Sequence, residues 1–119
     1  MTIQNRVAKC IAGLLGFCAV LCGAFGAHLF RGLLQNQGTT QIWQTGALYH
    51  LVHAAVLLVL SGWRPVPGIA FNLILGGVIV FSGSLYALAL TNFKWFGAIT
   101  PLGGLSILAG WLVLAFAKE

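Results

Sequence analysis

Two histidines three positions apart are the residues of this chain whose types and spacing best suit chemistry. His50 and His53 lie in the apolar stretch 43–60. Residues three or four apart share one face of a helix, so the two imidazoles are expected on a single stripe with Gly46 and Leu57. Imidazole can exchange protons, exchange hydrogen bonds and bind metals near neutral pH. Ionisable side chains within a membrane span are candidates for a functional site.

The composition removes most catalytic alternatives. The chain has 119 residues, of which 60% are hydrophobic and 6% are charged, and its single acidic residue is Glu119. Paired carboxylates, a Ser-His-Asp triad and an Asp/Glu cage for a hard cation are therefore excluded. The spacing of Cys10, Cys18 and Cys22 fits neither a zinc site nor a CxxC redox pair. We predict that the protein is not an enzyme and holds no metal or cofactor.

The elements that must position the histidines are long apolar runs. A span needs about 20 apolar residues to cross about 30 Å of hydrocarbon. The first run could be a secretory signal peptide, but its length favours a retained helix. The sequence thus predicts an all-α, single-domain integral membrane bundle of four transmembrane helices, at about residues 8–29, 46–62, 70–91 and 97–117.

The connections between spans carry their own signals. Residues 30–37 predict a short interfacial helix that ends at Gly38. Thr39 or Thr40 is expected to cap the second span, and Thr100 to cap the fourth with Pro101 at its first helical position.

The distribution of cations predicts the orientation. Four cations fall on the side of the termini and two on the opposite side, namely Arg6, Lys9, Arg64 and Lys118 against Arg31 and Lys94. Cytoplasmic loops carry the excess of Lys and Arg, so both termini are expected in the cytoplasm. No basic run with interleaved aromatic residues exists, so a nucleic-acid partner is not expected.

In this topology nearly all hydrogen-bonding side chains of the spans fall in the outer half of the bilayer. The predicted polar cluster consists of His28, Tyr49, His50, His53, Ser82, Ser84, Tyr86 and Thr100. Buried neutral histidines usually exchange hydrogen bonds with nearby hydroxyl or carbonyl groups, which favours a structural cluster. A pathway for a small ligand or protons is an alternative, and a histidine-lined metal or haem site is a further one.

Small residues at intervals of about four predict close helix packing. The positions are Gly16, Gly23 and Ala27 in the first span, Gly83 in the third, and Gly103 and Gly110 in the fourth. Small-xxx-small spacing allows helix backbones to approach closely within lipid. The packing is expected inside the bundle, with association between copies as the alternative.

Four segments, in this order, resemble the YgdD-type family of small bacterial inner-membrane proteins, which has short eukaryotic relatives. They are Gly23-Ala-Phe-Gly-Ala-His28, Trp43 with Gly46-Ala-Leu-Tyr-His50 and His53, Phe81-Ser-Gly-Ser-Leu-Tyr86, and Ile99-Thr-Pro-Leu-Gly-Gly104 with Gly110-Trp111. The resemblance covers essentially the whole chain. It implies a four-helix protein of the bacterial inner membrane and brings no activity, substrate or cofactor with it.

The functional expectation is accordingly modest. The sequence favours a structural or accessory membrane protein that acts through helix–helix contacts, with the lipid bilayer, further copies or a larger membrane complex as partners. The alternative is a small-molecule or ion transporter or channel that uses the polar cluster. An intramembrane enzyme or haem protein ranks last, because carboxylates are missing from the spans.

Overall fold

A computed structural model describes residues 2–117, and the regular elements in this range are five helices. They are α1 (Ile3–Ala27), α2 (Arg31–Gln37), α3 (Thr40–Leu60), α4 (Gly68–Thr91) and α5 (Phe96–Ala115). All except the short α2 are long and apolar enough to cross a membrane. The prediction of an all-α membrane bundle with four spans is confirmed.

Helix α1 begins at Ile3, well before the predicted span, because its first turn is capped. The Thr2 hydroxyl accepts a hydrogen bond from the Asn5 backbone N–H at 3.1 Å, which satisfies one of the free donors at a helix start. The Asn5 amide Nδ2 donates to the carbonyls of Ser61 and Trp63 at 2.7 and 3.0 Å. Asn5, which precedes the predicted span, thus attaches α1 to the end of α3.

The connection between α1 and α3 contains the short helix α2, in the stretch where the sequence predicts one. Gly38 closes it in the left-handed conformation at φ 69°, which glycine adopts at little steric cost. Thr39 is the N-cap residue of α3 but makes no side-chain cap. Its hydroxyl instead donates to the Ala89 carbonyl at the end of α4, at 2.8 Å.

The last helix starts within one residue of the predicted span, but the prediction that Thr100 caps it is wrong. Helix α5 begins at Phe96 with Trp95 as N-cap, so Pro101 lies inside the helix and Thr100 caps nothing. The preceding turn runs through Asn92, which ends α4 in the left-handed conformation. The sequence 92–95 is therefore sufficient to reverse the chain, and α5 starts four residues before Thr100.

The four long helices form an open row. Helix α1 packs on α3, α3 on α4, and α4 most extensively on α5. Among the described residues α1 and α5 share no backbone contact, and α3 meets α5 through side chains. One core cluster joins α1, α3 and α4 near the chain termini, and consists of Ala8, Ala12, Leu57, Leu60, Val66, Phe71 and Ile74.

The two ends of the bundle can be told apart by their loops. We call the end with residue 2, the α3–α4 loop and residue 117 the terminal end, and the other the α2 end. Arg6 and Arg64 lie at the terminal end, and Arg31 and Lys94 at the α2 end. Lys118, which also entered the orientation argument, lies outside the described residues. The cytoplasmic location of the termini stays a prediction.

Candidate functional site

Helix α3 carries both histidines, but it presents them to different neighbours. His50 Nδ1 is 2.9 Å from the Tyr86 hydroxyl oxygen on α4. The contact is possible because Gly46, one turn away, lets α4 approach: a Cβ there would lie 3.2 Å from the Tyr86 ring. The Ser82 hydroxyl donates to the Gly46 carbonyl at 2.7 Å. Polar contacts thus hold α3 and α4 together along this seam.

His50 is 7% exposed, and its second ring nitrogen has no hydrogen-bond partner. The backbone of Leu15 on α1 lies beside the ring, without hydrogen-bond geometry to Nε2. A buried polar atom without a partner costs roughly 1–3 kcal/mol. This nitrogen is the one buried side-chain polar atom of the described residues that remains unsatisfied.

His53 is satisfied on both nitrogens. Its Nδ1–H donates to the Tyr49 carbonyl at 2.8 Å, since a carbonyl can only accept. The Trp111 indole N–H donates to His53 Nε2 at 3.1 Å. Both contacts require the neutral tautomer protonated at Nδ1, because a second proton on Nε2 would oppose the indole donor. His53 therefore serves as the bridge between α3 and α5.

The remaining hydroxyls pair at the α4–α5 contact. Ser84 and Thr100 share a hydrogen bond of 2.6 Å between their side-chain oxygens. Ser84 also lies 3.0 Å from the Phe81 carbonyl, and Thr100 lies 3.3 Å from the Phe96 carbonyl. The Ser84–Thr100 bond joins α4 to α5 next to Pro101, which leaves the backbone without a donor, and the two contacts to carbonyls lie within their own helices.

Two members of the predicted polar cluster lie outside these pairs. His28 is an exposed residue at the C-cap of α1, and no described hydrogen bond joins its side chain to the others. The Tyr49 ring packs against Phe81 and His53, with centroid distances of 4.7 and 5.9 Å, and its side chain is exposed. Five of the eight predicted members thus fall into three separate pairs, His50–Tyr86, His53–Trp111 and Ser84–Thr100, and Ser82 bonds to the Gly46 carbonyl.

No set of three metal-binding side chains (His, Cys, Asp or Glu) comes together anywhere within residues 2–117. His50 and His53 contact different helices, and His28 lies at the end of α1. The three histidines therefore do not converge on one site in this part of the chain.

The predicted packing residues differ in how closely a neighbouring helix approaches them. At Gly103 a Cβ would collide with the Phe81 backbone, and at Gly110 it would lie 2.5 Å from Ile74 Cγ1. Gly16 faces the Ala54 methyl at 3.7 Å. At Gly23 and Gly83 a Cβ would meet nothing within 4 Å. Ala27, with Gly23, lines a cavity of about 140 Å³ between α1 and α3.

Sequence reasoning missed several residues that position these helices. A Cβ at Gly77 would lie 2.8 Å from the Ile107 backbone nitrogen, so α4 contributes its own glycine to the α4–α5 contact. The Trp43 indole N–H donates to the Cys22 carbonyl at 2.8 Å and packs on Gly26. The Gln37 amide donates to the carbonyls at the end of α4. Unpaired helix-end carbonyls were the available signal for that last contact.

Comparison with known proteins identifies the family of the chain. Residues 22–104 match the family model described as "Protein of unknown function (DUF423)". The chain belongs to the DUF423 family. The match spans α3 and α4 entirely and includes all three histidines and the Ser84–Thr100 pair.

Curated relatives of this DUF423 protein cover most of its length. It is 41% identical to the UPF0382 membrane protein YwdK of Bacillus subtilis, over 83% of this chain and 85% of the relative. It is 40% identical to the UPF0382 membrane protein SERP0230 of Staphylococcus epidermidis, over 94% of both chains. The UPF0382 inner membrane protein YgdD of Escherichia coli K12 is 36% identical, over 94% of this chain and 88% of the relative. No solved structure matches.

These similarities confirm the family resemblance seen in the sequence. Together with the four apolar helices, they establish a multi-pass integral membrane protein. The names of the relatives describe location and family and carry no activity.

Proposed function

We propose that this protein is a non-enzymatic accessory component of the bacterial inner membrane that acts by packing against other transmembrane helices. The supporting observation is how its polar groups are used. Both nitrogens of His53, the Nδ1 of His50, and the hydroxyls of Ser82 and Ser84 bond within the chain. Chemistry at these atoms would have to break contacts that hold the helices together.

The outward surface supports the same proposal. The face of α4 with Gly76 and Gly83 is exposed, and a Cβ at either position would meet nothing within 4 Å. The two glycines are seven residues apart, so they lie on one face of α4, two turns from each other. Small residues on such a face let a neighbouring helix approach closely. A further copy of the chain or another membrane protein could supply that helix.

The name of the relative YgdD places that protein in the inner membrane, and we extend this location to the present chain. The excess of cations at the terminal end supports cytoplasmic termini. Transport is the weaker alternative, since most of the side chains that would line a path bond within the chain. We expect flux across liposomes containing the protein to equal that across empty vesicles.

The proposal is tested by adding bulk to the glycine face. The double variant Gly76→Ile/Gly83→Ile should convert assemblies isolated in mild detergent into smaller species, measured by size exclusion with light scattering. Ala55→Ile is the matched control, because Ala55 is exposed on α3 and the exposed residues around it on that helix include no glycine. Assemblies of unchanged mass in the double variant, with thermal stability retained, would contradict association through this face.

A further inference from the structure

The open row of helices leaves a groove between α3 and α5. Both helices pack on α4 and meet each other through the Trp111–His53 hydrogen bond. Towards the terminal end of that bridge lies an apolar cavity of about 440 Å³. It is lined by Val56, Leu60, Trp63, Trp111, Leu114 and Ala115. We call this cavity the terminal groove.

We propose that the terminal groove binds one acyl chain of an anionic phospholipid from the leaflet at the terminal end. The bridge closes the groove towards the bilayer centre, since Trp111 is fixed by its bond to His53. From Val56 to the end of α3 at Leu60 the groove follows four residues of helix, about 6 Å at the helical rise, and it continues along the turn to Trp63. One leaflet of hydrocarbon is about 15 Å deep. The groove therefore accepts the part of one chain that lies next to the headgroup, and the rest of that chain stays in the surrounding lipid.

The groove is too small to enclose a helix. A helix about 10 Å across and about 10 Å long would fill roughly 800 Å³, nearly twice the cavity. A partner helix would rest on the rims and leave the floor open, which forfeits the contacts that drive packing in lipid. A flexible unbranched hydrocarbon chain follows the groove to its floor.

The cation that follows Trp63 in the chain selects the headgroup. Trp63 lines the mouth, and the exposed Arg64 follows it directly in the chain. The sequence has six Lys and Arg residues against one acidic residue, so cations are in excess. Tryptophan favours the headgroup level, and arginine pairs with phosphate in a bidentate geometry. A phospholipid with a net negative headgroup meets both requirements.

The experiment measures phospholipid retained by the purified full chain, by native mass spectrometry from detergent supplied with phosphatidylglycerol or phosphatidylcholine. Val56→Phe fills the groove from α3 and Ala115→Phe fills it from α5. Val52→Phe is the matched control, since Val52 is exposed on α3 and does not line the groove. Each filling variant should lose phospholipid severalfold relative to Val52→Phe. Thermal unfolding of all three verifies that they are folded.

Arg64→Gln tests the headgroup separately. The wild-type protein should prefer phosphatidylglycerol about fivefold, from about 1 kcal/mol for one cation near an anionic headgroup, and the variant should lose this preference. Equal retention of phospholipid by the folded filling variants and the control would overturn the proposal. So would a change of oligomeric state in Val56→Phe without loss of lipid, because the occupant would then be a second copy. Loss of association through Gly76 and Gly83 would leave both lipid results unchanged.

Discussion

Replacing Gly103 by alanine should destabilise the bundle, although alanine is the better helix former. The added methyl would collide with the Phe81 backbone and would lie 2.7 Å from the Gly77 carbonyl oxygen. Backbone atoms of a packed helix cannot rotate away as a side chain can, so α4 and α5 must separate. Overpacking of this kind costs about 1–3 kcal/mol, and the loss includes part of the most extensive helix contact in the fold.

Two neighbouring glycines provide matched controls for this prediction. At Gly104 the methyl would lie 3.7 Å from the Phe81 ring, an ordinary contact, and at Gly83 it would meet nothing within 4 Å. Gly83→Ala should be neutral or stabilising by up to about 1 kcal/mol, because alanine restricts the unfolded chain. Reversible unfolding by SDS in mixed micelles measures all three free energies. Equal stability of Gly103→Ala and Gly83→Ala would refute the close approach of α4 and α5.

Two further predictions concern hydrogen bonds between helices. Tyr86→Phe removes the partner of His50 Nδ1 and leaves both ring nitrogens unpaired; we expect a loss of about 1–3 kcal/mol in the same assay. Tyr49→Phe, at an exposed tyrosine, should cost far less, and similar losses in the two variants would contradict the His50–Tyr86 pair. Asn5→Ala removes two donors to carbonyls at the end of α3 and should cost about 1–3 kcal/mol, with faster proteolysis of the N-terminal segment. Resistance equal to wild type would show that this tie is unimportant.

Hydrophobicity was sufficient to predict four membrane helices, but it could not locate their ends. The sequence-based spans start where the apolar runs start, at about 8 and 46, whereas α1 and α3 begin at Ile3 and Thr40. The extra turns contain residues whose side chains donate to distant carbonyls, as Asn5 and Trp43 do. Such contacts depend on which helix ends meet in space. The hydrophobic pattern of one segment does not show which helix ends will lie next to each other.

The polar pairs were also predicted only in part. The sequence identified the side chains that form hydrogen bonds within the bundle, including His50, Tyr86, Ser84 and Thr100. It could not predict that they form separate pairs, because the order of neighbours in the row decides which hydroxyl meets which imidazole. The indole of Trp111 was missed as a partner of His53, although tryptophan N–H groups usually find an acceptor when buried in apolar surroundings.

The angle between the two histidines explains why one face of α3 contacts two different helices. Residues three apart on a helix differ by about 60° in direction, so a shared face is broad enough to meet more than one neighbour. In a closed bundle both rings would point to one centre. Here α3 lies between α1 and α4 in an open row, so His50 bonds to α4 while His53 bonds across to α5. The second bond closes the terminal groove towards the bilayer centre. Shortening Trp111 to leucine should therefore lengthen the groove and increase the phospholipid retained, whereas a purely structural bridge predicts loss of stability with lipid unchanged.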